Sequence, residues 1–178
     1  VYLTHLINWT GQIIPVKVLK KIADLAHKYG AEVIVDGAHT LAHTVYQIPE
    51  LNCDYYGTSL HKWMCAPFGS GLLYIKKDKI KKVWALLSND QPDGENIRKF
   101  ESLGTRSFAS EMAIGSAVDF HNAIGSERKE KRLFELKKYW TDHVKNIPGI
   151  VFFSPLEKEF SCGIANIGIQ GMKGSEIE

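Results

Sequence analysis

The chain has 178 residues, of which 44% are hydrophobic and 24% are charged, and its formal net charge is +2. This composition is typical of a folded globular protein with one good core and room for the start of a second domain, and it excludes a disordered chain. The lysines are scattered and form no basic stripe with interleaved aromatics, so no nucleic-acid partner is expected. The apolar runs have the length of strands, so no membrane-spanning segment is expected either.

Three cysteines, Cys53, Cys65 and Cys162, form no CxxC pair. A small, odd number of cysteines argues against a disulfide framework and favours a reducing compartment, so we expect a cytoplasmic location. The chain begins at Val1 with neither an initiator methionine nor a signal peptide, which predicts a fragment of a longer polypeptide.

The first part of the chain alternates between strand and helix patterns. Pro15 predicts the first turn of a helix whose apolar positions recur every three to four residues until a stop at Gly30. The alternation predicts an α/β fold, with a mostly parallel sheet flanked by helices. Strands are predicted at 1–7, 32–36, 53–59 and 72–75.

The second part is predicted to be mainly helical. The polar segment 88–101 predicts a surface loop, with a mobile lid as a second possibility. One helix follows Ser110 and ends at Gly125, and an amphipathic helix then covers 126–144. The apolar face of the first helix is predicted to comprise Met112, Ala113, Ser116, Ala117, Phe120 and Ala123. That of the second is predicted to comprise Leu133, Leu136, Tyr139, Trp140 and Val144.

Two short apolar runs close the chain, at 150–153 and 163–169. They predict two strands of a smaller α+β unit that the chain only begins. We therefore expect a domain boundary close to residue 125, with 1–125 in one domain and 126–178 forming a linking helix and the beginning of the next.

Two polar motifs follow apolar strands. Asp36 ends an apolar run, which is where open α/β sheets place their ligands, and Gly37 and Ala38 leave room for a bulky group to approach it. Lys62 lies in the loop after the next strand. Because a protonated lysine is a poor nucleophile, imine chemistry needs a site that favours the neutral amine or captures it covalently. The pair predicts one pocket in which Lys62 forms a Schiff base and Asp36 faces a cationic ring.

Four motifs carry a resemblance to a known family. They are Asp-Gly-Ala-His at 36–39, Ser-Leu-His-Lys-Trp at 59–63, Pro-Phe-Gly-Ser-Gly at 67–71 and Gly-Thr-Arg at 104–106. In this order and spacing they resemble the class V aminotransferase family of pyridoxal-phosphate enzymes, and in particular its isopenicillin-N epimerase-like branch, with cysteine desulfurases as more distant relatives. The resemblance runs from about Thr4 to Gly125, and weakly beyond. It implies a fold-type I pyridoxal-phosphate-dependent transferase-like fold, with 1–125 as the central, catalytic part of the cofactor-binding large domain.

The resemblance implies roles for the residues nearest the cofactor ring. Lys62 matches the lysine that holds pyridoxal 5'-phosphate as a Schiff base and then moves a proton at the substrate Cα. Asp36 matches the carboxylate that keeps the pyridine nitrogen protonated. His39 and Asn8 match positions beside the phenolic oxygen of the ring. Trp63 is expected to be a core or wall residue and not a catalyst.

The resemblance also implies contacts with the phosphate. Ser59 and His61 match positions that hydrogen-bond this group, and Thr105 matches a residue that reaches the phosphate of a neighbouring subunit. Arg106 is placed for an anion near that interface. A homodimer is therefore implied by the resemblance, not by the composition.

The implied function is that of an enzyme acting on an amino acid or a related amine, with epimerase-like or aminotransferase chemistry. A cysteine desulfurase or lyase of the same family is the alternative, although no sequence pattern around Cys162 marks it as a nucleophile. Two rivals come from other classes. A metal-dependent hydrolase would use Asp36, His39, His43 and His61, but it leaves Lys62 unexplained. An inactive module with the same fold leaves the retention of both Lys62 and Asp36 unexplained.

Overall fold

A four-stranded sheet forms the centre of the fold in this computed structural model, which describes residues 1–87, 89–105 and 107–177. The strands lie in the order β1 (Tyr2–Thr4), β2 (Ile34–Asp36), β3 (Tyr55–Ser59) and β4 (Gly71–Ile75). The first three are parallel, and β4 is antiparallel to β3. β4 returns antiparallel because a loop without a crossover helix joins it to β3. The predicted mostly parallel sheet is confirmed.

Helix α1 (Val16–Lys28) covers one face of this sheet. It begins after Pro15 and ends before Gly30, whose φ of +73° suits a residue without a side chain. Both predicted boundaries are therefore confirmed. The core between helix and sheet contains Leu19, Ala23, Ala26, Val33, Val35, Leu51, Cys53 and Tyr56.

The opposite face of the sheet carries Asp36. Side chains alternate between the two faces of a strand, so Tyr2 and Ile34 share this face with Asp36. Both are exposed, as is Leu73 on β4. Asp36 pairs in register with Thr4 on one side and Gly57 on the other, so it lies at the edge where the parallel strands end.

The second part of the chain is helical, as predicted. Helix α2 (Ala109–Ile124) and helix α3 (Ser126–Val144) are separated by Gly125, whose φ is +88°. A two-stranded antiparallel sheet of β5 (Ile150–Phe152) and β6 (Ile167–Ile169) follows. No helix within the described ranges is long and apolar enough to cross a membrane.

The predicted apolar faces of α2 and α3 are partly wrong. On α3, Tyr139 is 68% exposed, whereas Lys137 is buried. Lys137 tolerates burial because its ammonium group donates to the backbone oxygen of Pro155 at 3.1 Å and to the hydroxyl of Ser161, while its methylene stem packs. On α2, Met112 is 78% exposed. A pattern of apolar residues therefore identified the helices but not the faces that they bury.

The segment predicted as a loop or lid is anchored over its described part. A short 3-10 helix covers Ile97–Glu101 and contains the buried Lys99. The Lys99 ammonium donates to the backbone oxygens of Ile80 at 2.8 Å and Gly94 at 2.9 Å. These bonds hold 94–101 against the rest of the fold and give no support to a mobile lid.

A buried carboxylate, Asp54, holds the start of β3. Its side chain is 1% exposed and accepts hydrogen bonds from the Val33 backbone N–H and from His27 Nε2, both at 2.8 Å. The Lys79 ammonium lies 3.6 Å away. Burial alone would raise the pKa of Asp54, but the hydrogen bonds from Val33 and His27 outweigh it and hold this pKa below its usual range.

We expect Asp54→Asn to lower the free energy of unfolding by about 3 kcal/mol at pH 7, because a buried ion-pair partner is lost. A pKa that is lower in the folded state stabilises the fold above the unfolded value of about 3.9, and this stabilisation is lost as the pH falls through the folded pKa. The difference in the free energy of unfolding between the wild type and Asp54→Asn should therefore be smaller at acidic pH. This difference is measured by urea unfolding of the natural polypeptide containing this chain, at neutral and at acidic pH. The exposed Asp93→Asn is the matched control, and an equal loss at both pH values would contradict the expectation.

Candidate active site

The turn after β2 is held by a set of hydroxyl groups. The Gly37 carbonyl oxygen accepts hydrogen bonds from Thr58 Oγ1 at 3.0 Å, Thr40 Oγ1 at 3.2 Å and the Tyr56 hydroxyl at 3.3 Å. The Gly37 N–H donates to the Gly57 backbone oxygen at 2.8 Å. Three donors on one carbonyl keep the turn in a single conformation, so the side chains that flank it are presented rigidly.

Gly37 is needed for a reason other than the one expected. A Cβ atom at this position would lie 1.7 Å from the Tyr56 hydroxyl oxygen. The space beside Gly37 is therefore filled by the protein's own tyrosine, not kept free for a ligand. The expectation that Gly37 makes room for a bulky group is wrong, although Ala38 does line open space next to Asp36.

Asp36 lines an open depression of about 360 Å³. Its Oδ1 accepts a hydrogen bond from the Ala38 backbone N–H, and its Oδ2 accepts one from the Tyr2 hydroxyl, both at 2.9 Å. The bond to Asp36 raises the pKa of the Tyr2 phenol. The depression is lined by Tyr2, Ile34, Asp36, Ala38, Thr58 and Ser59 among others.

The amine of Lys62 is in contact with an imidazole. Lys62 Nζ lies 2.8 Å from His39 Nε2, and the Trp63 indole N–H donates to His39 Nδ1 at 3.4 Å. Burial lowers the pKa of His39, the positive charge of Lys62 lowers it further, and Asp36 partly offsets both. His39 is thus a neutral partner for the lysine, within electrostatic reach of both Lys62 and Asp36.

Behind His39 lies a second, fully buried imidazole, His43. Its Nδ1 is 3.0 Å from the His39 backbone oxygen, and its Nε2 accepts a hydrogen bond from the Gly163 backbone N–H at 2.8 Å. Its ring packs against the Trp63 ring with 3.8 Å between centroids. Burial lowers the pKa of His43 to about 4, so the ring is neutral at pH 7. His43 therefore connects the C-terminal part of the chain to the residues around Lys62.

Trp63 and His43 are the residues of this site that sequence reasoning missed. Trp63 was expected to be a core or wall residue, and His43 had a role only in the metal alternative. The spacing from His39 to His43 is that of one turn, and it was a weak signal that the two are neighbours. Nothing in the sequence pointed to Gly163, which is 120 residues from His43.

The remaining predicted residues lie apart from the contact between Lys62 and His39. Ser59 ends β3 and lines the depression. His61 stacks on Phe68 with 5.5 Å between ring centroids, and its Nδ1 lies 3.4 Å from the Ser70 backbone oxygen. Asn8 is exposed in the turn after β1.

Two predicted residues belong to the segment before α2. Thr105 is exposed there. Arg106 lies outside the described residues. The described contacts therefore bring together Lys62, His39 and, through space, Asp36, and they do not bring Thr105 to this group.

The arrangement does not support the metal-dependent hydrolase alternative. Both ring nitrogens of His43 are already engaged, one with His39 and one with Gly163. Within 1–87, 89–105 and 107–177, no three His, Cys, Asp or Glu side chains are placed so that they could share a metal ion.

Comparison with known proteins gives relatives of two kinds. The chain is 32% identical over 187 residues to a probable cysteine desulfurase of Halalkalibacterium halodurans, covering 99% of this chain and 44% of that protein. It is 28% identical over 169 residues to the isopenicillin N epimerase of Amycolatopsis lactamdurans, covering 86% of this chain and 42% of that protein. The chain thus spans less than half the length of these relatives.

Solved structures show the same fold. The chain superposes on the apo cysteine desulfurase of Thermococcus onnurineus with a TM-score of 0.78 and 20% identity, covering 99% of this chain and 45% of that one. For a cysteine desulfurase of Escherichia coli the TM-score is 0.79, with 22% identity and coverage of 99% and 44%. The predicted fold type I is confirmed by these superpositions.

The model of the family described as Aminotransferase class-V matches residues 1–178. The predicted resemblance is confirmed, and it extends over the whole chain instead of fading after Gly125. The chain therefore belongs to the class-V aminotransferase family, whose cofactor is pyridoxal phosphate.

Proposed function

We propose that this chain carries the catalytic lysine and the ring-binding carboxylate of an enzyme that acts on an amino acid or a related amine by epimerase-like or aminotransferase chemistry. One observation carries the proposal: the Lys62 amine lies 2.8 Å from a neutral imidazole, His39, that is itself within reach of Asp36. A carboxylate, an imidazole and an amine converge at the edge where parallel strands end, which is the usual ligand position in such sheets.

The residues present fit pyridoxal phosphate. When bound, this cofactor supplies an aldehyde for covalent attachment and a ring that accepts the electron pair of a broken Cα bond. Asp36 is suited to hold a protonated ring nitrogen, because its carboxylate lines the open depression and each carboxylate oxygen can accept a further hydrogen bond beside those from Tyr2 and Ala38. The open depression beside it exposes Ala38 and Ser59, so a flat ring meets no large side chain from these two residues.

Lys62 supplies the amine that reacts, and His39 helps to orient the cofactor ring. Lys62 would be the residue that attaches the cofactor through its amine, and it would also take or return the substrate Cα proton. We assign His39 and Asn8 to the phenolic oxygen of the ring. Ser59 and His61 are assigned to the phosphate, since Ser59 lines the depression and His61 is held nearby on the loop by Ser70.

The same proposal covers domains and assembly. We assign 1–125 to the central, catalytic part of the cofactor-binding large domain and 126–178 to the linking helix and the start of a small domain. Thr105 is assigned to the phosphate of a neighbouring subunit in a homodimer. Its exposed position before α2 is compatible with a partner subunit.

The proposal is tested by locating the covalent attachment. The natural polypeptide containing this chain is mixed with pyridoxal phosphate, its visible absorption spectrum is recorded, and the protein is reduced with borohydride and digested. We expect an absorption band that disappears on reduction and a pyridoxyl group on the peptide that contains Lys62. A folded protein with no band and no adduct would overturn the proposal and favour an inactive scaffold.

Cysteine desulfurase activity is the second candidate, because one relative at 32% identity is a probable cysteine desulfurase. That reaction needs a reactive thiolate. Burial raises the pKa of Cys53 to about 11 and also raises the pKa of Cys162, so neither is suited to the role. Cys65 is exposed on the loop that carries Lys62. Incubation with L-cysteine and an added thiol reductant separates the candidates: alanine, with sulfide released when the thiol reduces an enzyme persulfide, indicates the desulfurase. Keto acid or inverted amino acid from other substrates indicates the first proposal.

Replacing Thr105 with alanine should weaken cofactor retention and the dimer together. Loss of one hydrogen bond to a charged phosphate predicts about a tenfold faster release of cofactor. Dialysis followed by absorbance measures retention, and analytical ultracentrifugation measures the dimer. Ser175→Ala is the control, since Ser175 is exposed and far along the chain. Unchanged values for both quantities would remove Thr105 from the site.

A further inference from the structure

His43 lies where three parts of the chain meet. Its Nε2 accepts the Gly163 backbone N–H at 2.8 Å, its Nδ1 lies 3.0 Å from the His39 backbone oxygen, and its ring packs on that of Trp63. A backbone N–H can only donate and a carbonyl oxygen can only accept, so both partners require a neutral ring with its hydrogen on Nδ1. Burial favours the same state, because it lowers the pKa of His43 to about 4. His43 therefore forms two hydrogen bonds of fixed direction, one to each of two distant segments.

The contact between Gly163 and His43 is a close-packed joint. His43 is 2% exposed, and a Cβ atom at Gly163 would lie 2.9 Å from His43 Nε2 and 2.9 Å from Leu133 Cβ. No side chain fits at this position unless His43 or helix α3, which carries Leu133, moves. The position of His43 is thus tied to that of the segment around Gly163.

The same segment is anchored on the turn after β1. We call residues 160–164 the clamp segment. The Phe160 backbone oxygen accepts a hydrogen bond from the Ile13 N–H at 3.0 Å, and the Cys162 thiol donates to the Gly11 backbone oxygen at 3.2 Å. These bonds join the clamp segment to a turn that lies about 150 residues earlier in the chain.

Gly11 shows how closely the clamp segment approaches this turn. A Cβ atom at Gly11 would lie 2.2 Å from the Ile164 backbone oxygen, and the φ of +67° also favours a residue without a side chain. The Gly11 N–H donates to the Ile7 backbone oxygen at 2.8 Å and closes the turn in which Asn8 lies. The clamp segment therefore packs directly against the turn that carries Asn8.

One segment thus contacts both turns whose side chains we assign to the phenolic oxygen of the cofactor ring. We infer that His43 is a positioning residue, which extends the anchor of the clamp segment to the turn after β2 and so fixes His39 relative to Asn8. The inference rests on the proposed roles of His39 and Asn8. Because His43 is buried and engaged on both nitrogens, it acts through His39 and not on the cofactor itself. An oxygen recognised by side chains from two segments is bound best when both are held rigidly.

Hydrogen exchange of the cofactor-free natural polypeptide tests the joint, with His43→Asn compared with the wild type. The shorter asparagine can still donate to the His39 backbone oxygen but cannot reach Gly163. Loss of one hydrogen bond predicts about three- to tenfold faster exchange at Gly163 and in the turn after β2. The turn after β1 keeps its own bonds to the clamp segment, so exchange at Ile13 should be unchanged. Equally faster exchange at Ile13 would show a general loosening and would overturn the inference.

Release of cofactor from the loaded natural polypeptide is the second readout. We expect about three- to tenfold faster release from His43→Asn, with a shifted absorption maximum, because one of the two contacts to the phenolic oxygen is displaced. Gly163→Ala displaces His43 without removing it and should give the same two changes, so it takes the place of His43→Asn if that variant does not fold. Gly174→Ala is the matched control, because a Cβ atom there meets no atom of the described residues within 4 Å. Release and absorption as in the wild type for both His43→Asn and Gly163→Ala would overturn the inference.

A double-variant comparison separates positioning from packing. In a His39→Ala background the displaced side chain is already absent, so adding His43→Asn should change the release rate by less than about twofold. An equal acceleration in both backgrounds would show that His43 only stabilises the fold and would contradict its role as a positioning residue. Failure of the proposed function looks different, since the wild type would then attach no cofactor while the exchange result would stand.

Discussion

Replacement of Lys62 by alanine is expected to abolish covalent cofactor attachment and to lower turnover by about 10⁴-fold or more, because one amine serves both as nucleophile and as base. The fold should be unaffected, since Lys62 is only partly buried and its amine contacts His39, at 2.8 Å, on a neighbouring turn. Borohydride should then leave no pyridoxyl group on the protein, while cofactor added in excess still binds without a covalent bond.

The controls for this variant distinguish loss of chemistry from loss of structure. Lys21→Ala removes an exposed lysine from α1 and should leave attachment and turnover as in the wild type. A small primary amine such as methylamine, added to Lys62→Ala, should restore part of the activity by taking over the proton transfer. Turnover at the wild-type level without any added amine would contradict the assignment of Lys62.

Replacement of Asp36 by asparagine is expected to lower turnover by about 10² to 10³-fold while Lys62 still attaches the cofactor. A neutral amide gives no electrostatic stabilisation to a protonated ring nitrogen, so the ring becomes a weaker electron acceptor. The amide oxygen can still accept one of the two hydrogen bonds that Asp36 receives, from Ala38 or from Tyr2. The turn should therefore stay folded, and the loss should appear in kcat.

Two measurements make the Asp36 result interpretable. The absorption spectrum of the loaded variant reports whether attachment at Lys62 is intact, and thermal unfolding reports whether the turn is intact. Asp90→Asn, on an exposed loop, is the matched control for removing one carboxylate. A variant that attaches cofactor and turns over substrate at the wild-type rate would show that Asp36 does not hold the ring.

Local signals were enough to identify the elements that carry the site. The helix between Pro15 and Gly30, the strand that ends at Asp36 and the loop that carries Lys62 all follow from short-range patterns. Such patterns are reliable because the residues that start or stop an element act on their near neighbours in the chain. The order of these elements then implied the parallel sheet, and with it the edge at which Asp36 lies.

The faces that helices bury were not predictable to the same degree. The sequence marks Tyr139 as apolar and Lys137 as charged, yet Lys137 is the buried residue of the two. Its burial depends on the Pro155 oxygen and the Ser161 hydroxyl, which arrive from a later part of the chain. A hydrophobic pattern contains no information about such partners.

By itself the sequence determined the family and the cofactor, and it predicted Lys62 and Asp36 as the two principal residues, since all of these depend on motifs whose members are close in the chain. Only the tertiary structure decided that His39 faces Lys62, that Trp63 meets His39 and that Gly163 holds His43. Those contacts join segments 23, 24 and 120 residues apart. Which donor meets which acceptor depends on segments that arrive from elsewhere in the fold, and that is why the partners of His39 and His43 are a property of the folded chain.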